Sequence, residues 1–122
     1  MSRLVSVSVE PGAQALVVRV PPRLKDRSEL FDVLQSGLRF PYFGRNWDAL
    51  LDLISDLSWL EEDEVWIVHT MQPVGLEDIW QTYVDVLTHA VDRRNDAVSQ
   101  GFPDRPQLVI ALPRRDMTND SD

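Results

Sequence analysis

Two short apolar segments on either side of a long helical pattern restrict the fold more than any other feature of this sequence. EVWIVHT begins at Glu64, QLVIAL begins at Gln107, and GLEDIWQTYVDVLTHAVDRR lies between them. Its apolar residues, beginning with Ile79 and Trp80, have the spacing of an amphipathic helix. Strands that are joined through a helix normally lie parallel in one sheet. QLVIAL is continuously apolar, which is typical of a strand buried on both faces.

The N-terminal segment predicts two further strands. RLVSVSV, from Arg3, alternates apolar and polar residues, which indicates a strand with one face in water. EPGAQ then has the composition of a turn, and ALVVRV, from Ala15, is a run of β-branched residues typical of a second strand. The short turn between the two segments suggests that they form a hairpin.

The segment DRSE marks the start of a first helix. Asp26 or Ser28 can cap this helix, and Glu29 has the capping-box position relative to Asp26. Gly37 lies near the expected end, where a glycine relieves the last helical turn. With the acidic helix described below, the predicted order is β-β-α-loop-α-β-α-β. This order predicts an α/β fold with a small, mainly parallel sheet that helices cover mostly on one side.

Composition and charge limit the classes of protein to consider. With 122 residues, we expect a single domain over residues 1–113 and a polar, disordered tail over residues 114–122. The net charge of −8 disfavours nucleic acids and anionic membranes as direct partners and favours a basic protein. The chain has no cysteine and no signal-peptide pattern, so we expect a cytoplasmic protein. No motif indicates a cofactor.

The negative charge is concentrated in one part of the chain. Residues 42–64 contain seven acidic residues and one basic residue, Arg45. Within FPYFGRNWDALLD, residues 40–52, Asn46 is a good N-cap for a helix that we expect to end near Leu57 or Trp59. The predicted polar side of this helix consists of Asp48, Asp52, Ser55 and Asp56, and its apolar side of Trp47, Leu50, Leu51, Leu53, Ile54 and Leu57. Because an aromatic loop leads directly into this acidic helix, the pattern is typical of a protein-binding surface.

Two other interpretations of the aspartates remain open. Carboxylates four residues apart share a helix face, so Asp48, Asp52 and Asp56 are candidate ligands of a divalent cation. A hard cation needs six or more oxygen atoms, and a straight helix supplies too few of them. The simplest alternative is a solvated acidic face without a partner.

The two histidines are candidates for acid–base chemistry on RNA. His69 ends a predicted strand and His89 lies in the middle of a predicted helix, so we expect both to be ordinary surface or half-buried residues. A ribonuclease also needs cationic side chains to bind phosphate, and Arg93 and Arg94 offer few of them. The sequence therefore disfavours an enzyme.

The stretch FPYFGRNWDALLDLISDLSWL resembles the signature of the barstar family: an aromatic pair, a glycine, any residue, an asparagine, and then a helix of the form x-D-A-L-x-D. The close match covers about twenty residues, and the order of elements agrees with that family over about residues 15–112. The resemblance implies a barstar-like layered fold with a three-stranded sheet, to which the N-terminal strand is an addition. It also implies a protein inhibitor of ribonucleases related to barnase.

The resemblance implies roles for particular residues. Tyr42 matches the aromatic residue that packs on the enzyme, and Gly44 matches the glycine of the binding loop. Asn46 matches the helix cap, while Asp48 and Asp52 match the aspartates that face the nuclease, with Asp52 in the phosphate pocket. The implied partner-binding residues are Tyr42, Phe43, Gly44, Asn46, Asp48, Leu51, Asp52, Ser55, Asp56 and Asp92.

Two positions depart from the family pattern. Leu51 stands where barstar has a tryptophan, and Arg45 stands where it has an acid, so one aromatic contact is missing and one charge is reversed. Asp92 is the candidate for an acidic contact from the last helix. We expect a monomer that binds a basic ribonuclease or related toxin. The alternative is a binding or immunity module of the same fold for a different toxin or a regulatory protein.

Overall fold

The structure of the chain, a computed structural model, describes residues 1–113 and confirms the predicted order of elements. Within this range the strands are β1 (Arg3–Ser6), β2 (Leu16–Val20), β3 (Glu64–His69) and β4 (Gln107–Leu112), and the helices are α1 (Arg27–Gly37), α2 (Trp47–Asp56) and α3 (Trp80–Ser99). The predicted tail, residues 114–122, lies outside the described residues. No helix in residues 1–113 has both the length and the apolar composition needed to cross a bilayer.

The four strands form one sheet in the order β1-β4-β3-β2, and every pairing between them is parallel. This arrangement confirms the α/β fold class and the added N-terminal strand. β4 is central: Val109 is the register partner of Arg3 on one side and of Trp66 on the other. Since residues 108–112 are all buried, the central position accounts for the continuous apolar pattern of QLVIAL.

The predicted hairpin between the first two strands is wrong. β1 pairs with β4 and β2 pairs with β3, so the two segments form opposite edges of the sheet. Alternation of apolar and polar residues identifies a strand, but it does not identify the neighbour of that strand. Residues 7–15 connect the two edges, and Val7 and Ala15 from this connection pack against the sheet.

The pleat of the sheet divides its side chains between two apolar clusters. The helices pack on one face, where the core includes Val18, Val20, Val65, Ile67, Leu108, Ile110 and Leu112. The second face carries a smaller cluster of Trp66, Val68, Val109 and Ala111, against which Val5, Val7, Ala15 and Val17 pack. The connection between β1 and β2 therefore covers the face that has no helix.

Both ends of α1 agree with the sequence, but the expected role of Gly37 does not. The Glu29 N–H donates to Asp26 Oδ1 over 3.1 Å, which confirms Asp26 as the N-cap. Glu29 Oε1 accepts from the Lys25 N–H over 2.7 Å, one residue before the cap. Gly37 does not relieve the last turn by a left-handed conformation. Its role is close packing, because a Cβ atom there would lie 2.8 Å from the Val18 methyl groups.

Helix α3 begins later than the sequence pattern suggests. The amphipathic pattern starts at Gly75, but this residue has a φ of 109°, which lies outside the helical region. A Cβ atom at Gly75 would also lie 1.7 Å from the carbonyl oxygen of Leu24, so only glycine fits there. The helix begins at Trp80 and extends beyond the predicted segment to Ser99.

His69 is completely buried, so the expectation of a surface or half-buried histidine is wrong. Its Nδ1 lies 2.9 Å from the carbonyl oxygen of Ala111, and its Nε2 lies 2.7 Å from the Tyr83 hydroxyl. A carbonyl only accepts, so Nδ1 carries the proton and Nε2 accepts from the Tyr83 O–H. Burial lowers the pKa of His69 to about 4, against the smaller opposing effect of the Ala111 hydrogen bond. The hydrogen bonds of the neutral His69 imidazole therefore link β3 to β4 through Ala111 and to α3 through Tyr83.

Arg94 is a second buried polar group, and it holds the C-terminal end of α2. Its side chain is only 8% exposed. Nη1 donates to the carbonyl oxygens of Ser55 and Asp56 over 3.0 and 2.9 Å, which pairs groups that a helix end leaves without partners. Nε donates to Ser2 Oγ over 3.3 Å, and Nη2 donates to the carbonyl oxygen of Pro106. This guanidinium is therefore not available for binding phosphate.

The N-terminus takes part in the same polar network. Ser2 is buried, and its Oγ accepts from the Leu108 N–H over 2.9 Å. The Ser2 N–H donates to Asn95 Oδ1 over 3.1 Å, and Asn95 Nδ2 donates back to the Ser2 carbonyl over 2.9 Å. The added strand is thereby joined to α3 and, through Arg94, to the end of α2.

Protonation of His69 should make the stability depend on pH. Because the folded pKa of about 4 lies below the ordinary value of 6.5, the unfolded chain binds the proton more readily between these values. We expect His69 to contribute about 3 kcal/mol to the free energy of unfolding. This contribution is complete above pH 6.5 and is lost as the pH falls towards 4. Urea unfolding between pH 4 and 7.5 measures this contribution. The His69→Gln variant should lose it, and the His89→Gln variant, at an exposed position, should retain it. An unchanged profile in His69→Gln would contradict the prediction.

Removal of the Arg94 guanidinium should destabilise the protein strongly. The Arg94→Met variant leaves the carbonyl groups at the end of α2 without their donors, so we expect a loss of about 3 kcal/mol in the free energy of unfolding. Arg94→Lys should lose less than Arg94→Met, because its ammonium group retains a charge and hydrogen-bond donors. It should still be less stable than the wild type, because it lacks the planar guanidinium that reaches several carbonyl groups at once. The matched control is Arg93→Met, at the adjacent exposed position, with a loss below about 1 kcal/mol. Equal stability of the two Met variants would show that the buried network is unimportant.

Candidate protein-binding site

The loop before α2, residues 40–46, packs the aromatic side chains of Phe40 and Phe43 on the core and exposes a third. The Phe43 ring lies 5.0 Å from the Phe31 ring and 5.1 Å from the Phe40 ring, centroid to centroid, in edge-to-face geometry. Tyr42, directly before it, is 72% exposed. The two adjacent aromatic residues therefore have different roles: Phe43 packs the loop on the core, whereas Tyr42 is exposed to solvent. We call residues 40–46 the binding loop.

Arg45 directs its charge towards α1. The residue adopts a left-handed conformation with φ of 56°. One guanidinium nitrogen lies 3.0 Å from Asp32 Oδ1 and also donates to the Ser28 carbonyl, while the other donates to Gln35 Oε1 over 3.0 Å. The one base in the acidic stretch is thus part of the contact between the binding loop and α1.

Helix α2 begins at the predicted cap. Asn46 Oδ1 accepts from the Ala49 N–H over 2.8 Å, which confirms Asn46 as the N-cap. Gly44 lies against this first turn: a Cβ atom there would be 3.3 Å from the Ala49 Cβ, tighter than an ordinary contact. Asp48 lies in the first turn, where a carboxylate interacts favourably with the helix dipole. The helix ends at Asp56, one residue before the earlier of the two predicted ends.

Three carboxylates form the outer side of α2. Leu50, Leu53 and Ile54 are buried, whereas Asp48, Asp52 and Asp56 are all exposed. Leu51 and Ser55 are half-buried, and the Ser55 hydroxyl donates to the Leu51 carbonyl over 2.6 Å. The predicted division of this helix into polar and apolar sides is therefore confirmed, with Leu51 and Ser55 at the border. We call the surface of Asp48, Asp52 and Asp56 the acidic face.

Helix α3 runs beside α2 and places Arg93 next to the acidic face. Near the start of both helices, the Trp47 and Tyr83 rings are 6.4 Å apart. Further along, Arg93 Nη1 lies 3.0 Å from Asp52 Oδ1, so the two helices run in the same direction. Asp92, the candidate from the last helix, is exposed and adjacent to Arg93 in the chain. The Asp52–Arg93 ion pair was not predicted, because no sequence pattern relates residues 41 positions apart.

A cavity with both polar and apolar walls adjoins the far end of the acidic face. It has a volume of about 280 Å³ and lies between Ser55 and Asp56 of α2 and Val98 and Phe102 at the end of α3. Phe102 is 63% exposed. The acidic face therefore has an exposed aromatic ring near each end, Tyr42 before α2 and Phe102 beside its last turn. Phe102 was not among the predicted site residues, since nothing in the sequence pattern connects it with α2.

The structure gives no support to the metal and acid–base alternatives. In the part of the chain that the structure describes, no group of three or more histidine, cysteine, aspartate or glutamate side chains could hold a metal ion. Both ring nitrogens of His69 are engaged in the core, whereas His89 is exposed on α3. The histidine pair considered for RNA cleavage is not formed.

Comparison with known proteins identifies the family. A family model described as Barstar (barnase inhibitor) matches residues 16–102, which include β2, α1, the binding loop, α2, β3 and α3. A search of curated proteins and a search of solved structures found no significant match. β1 and β4 lie outside the matched segment. Because the match spans more than half of the chain, this protein belongs to the barstar family, a family of inhibitors rather than catalysts.

Proposed function

We propose that this protein is an intracellular inhibitor that binds a basic ribonuclease and blocks its active site with the acidic face and the binding loop. The observation that carries the proposal is the exposure of Asp48 and Asp52 on a capped helix directly after the exposed Tyr42. The resemblance of FPYFGRNWDALLD to the barstar signature supports the proposal, as does the description of the matching family as barnase inhibitors.

The electrostatics of RNA cleavage favour such a surface. A ribonuclease binds a polyanion, so its active site is a cationic cleft, and carboxylates on an inhibitor can take the place of phosphates there. Arginine binds a carboxylate through two parallel hydrogen bonds, which gives both strength and orientation. The excess of negative charge on this chain, −8 in total, accelerates encounter with a basic partner and makes association dependent on salt.

The proposed roles follow the order of residues along the loop and helix. Asp52 neutralises an arginine in the phosphate pocket, and Asp48 pairs with a second cation. Tyr42 packs on the rim of the cleft, where Gly44 allows close approach of the backbone. Leu51, Ser55 and Asp56 complete the contact from α2, and Phe43 and Asn46 hold the loop and helix in position. Asp92 contributes from α3.

A second candidate function is binding of a different toxin or a regulatory protein by the same surface. Two observations favour it. Leu51 stands where barstar has a tryptophan, which removes one aromatic contact from the surface. Asp52 is paired with Arg93 within the chain, so a cation already lies at the centre of the acidic face. Tight binding of a basic protein without any effect on RNA cleavage would support this function.

Truncation of Asp52 should weaken inhibition while the fold remains intact. We expect Asp52→Ala to weaken binding to barnase by more than about tenfold, because it leaves a cation of the cleft without its partner. The side chain is 74% exposed, so the variant should unfold at nearly the same urea concentration as the wild type. The measurement is inhibition of RNA cleavage by barnase, at low and at high salt, with circular dichroism as the test of folding.

The matched control is Glu10→Ala, which removes one negative charge from the connection between β1 and β2. It should lower the rate of association slightly and leave dissociation unchanged. Equal inhibition by Asp52→Ala and Glu10→Ala would show that Asp52 has no specific role. If the wild type does not inhibit barnase at either salt concentration, the partner is a different protein, and binding to basic proteins becomes the next measurement.

A further inference from the structure

The acidic face carries an internal cation at its centre. Arg93 Nη1 donates to Asp52 Oδ1 over 3.0 Å, from α3 to α2. Arg93 is 46% exposed and Asp52 is 74% exposed, so the pair lies open to solvent. Within residues 1–113 it is the one ion pair that joins a base to a carboxylate of α2.

The neighbouring arginines cannot take the place of Arg93. Arg45 is engaged with Asp32, Ser28 and Gln35 on the side of α1. Arg94 is buried, and its donors hold carbonyl oxygens at the end of α2 and near β4. Arg93 is therefore the cation that a ligand meets when it approaches Asp52.

Displacement of Arg93 by a second cation is physically easy. An exposed ion pair with long side chains contributes little to stability, because water and salt screen it and its ordering costs entropy. Asp52 contacts Arg93 through one carboxylate oxygen and one guanidinium nitrogen. A guanidinium of a partner that excludes water and binds both carboxylate oxygens forms the stronger contact. Such a contact would release Arg93, whose side chain is already 46% exposed, to solvent.

We propose that Arg93 is a specificity-determining residue, an internal counter-ion that holds Asp52 in the free protein and gives way to a cation of the partner. This inference rests on the proposed role of Asp52 as the residue that binds such a cation. Its consequence is a threshold: a weakly basic surface does not displace Arg93, whereas an arginine in a water-excluded cleft does. Arg93 therefore reduces binding to unrelated basic proteins more than binding to the true partner.

The test measures a gain of binding, which damage to the fold cannot produce. The variants are Arg93→Ala and, as matched control, Arg19→Ala, which removes the same charge from an exposed position on β2. Val18 and Val20 face the helices, so Arg19 lies on the opposite side of the sheet from the acidic face. The ligands are barnase and a hexa-arginine peptide, at low ionic strength. We expect Arg93→Ala to bind the hexa-arginine peptide about two- to fivefold more tightly than Arg19→Ala does, and to show a smaller gain with barnase.

The same pair of substitutions in an Asp52→Ala background separates competition from net charge. Without Asp52 there is no site for which Arg93 competes, so Arg93→Ala and Arg19→Ala should then have equal effects. Equal effects in the wild-type background as well would overturn the inference, because net charge alone would explain them. Weaker binding by Arg93→Ala would also overturn it and would place Arg93 in direct contact with the ligand.

The two ligands distinguish this inference from the proposed function. If no variant binds barnase, inhibition of that ribonuclease is excluded, and the peptide still reports whether Arg93 competes for Asp52. If barnase binds and Arg93→Ala shows no gain with either ligand, the proposed function stands and the inference about Arg93 fails.

Discussion

The two-sided burial of β4 is the constraint on which the arrangement of the other elements depends. β4 pairs with β1 and β3, and its residues from Leu108 to Leu112 are buried. Parallel neighbours cannot be joined by a tight turn, so every connection must pass over a face of the sheet. The connections that contain helices lie on one face, which brings α2 and α3 side by side. The connection without a helix, residues 7–15, covers the other face. The outer side of α2 is then left open to solvent.

Polar contacts fix both ends of the helix that carries the acidic face. At its start, Asn46 caps the Ala49 N–H, and the binding loop is held by the packing of Phe43 on the core. At its end, Arg94 donates to the last carbonyl groups and connects them to the N-terminal strand through Ser2. A binding surface that is already ordered loses little conformational entropy when a partner docks. The added strand β1, outside the family match, therefore supports the position of α2 as well as the edge of the sheet.

The sequence predicted those features that depend on local pattern. The caps at Asp26 and Asn46, the two sides of α2 and the order of elements all follow from the identity and spacing of nearby residues, and the structure confirms them. The pairing of β1 with β4 and the burial of His69 were not predictable in this way, because both depend on which distant segments meet. The same holds for the pairs of Asp52 with Arg93 and of Arg94 with the end of α2. The structure shows where the candidate site residues lie, and their contact with a partner stays a prediction.

The fold also divides the acidic stretch of residues 42–64 into two parts with different surroundings. Near the start of β3, Glu62 pairs with Arg39 over 3.2 Å and Asp63 pairs with Arg105 over 2.5 Å, so bases of the chain offset part of that charge. On α2, no ion pair within residues 1–113 reaches Asp48 or Asp56. Ion pairing within the chain is therefore unevenly distributed over the acidic stretch. Asp56 still interacts electrostatically with Arg94 at longer range, whereas Asp48, on the helix beside Tyr42, has no ion pair within these residues, and its field acts on an approaching cation.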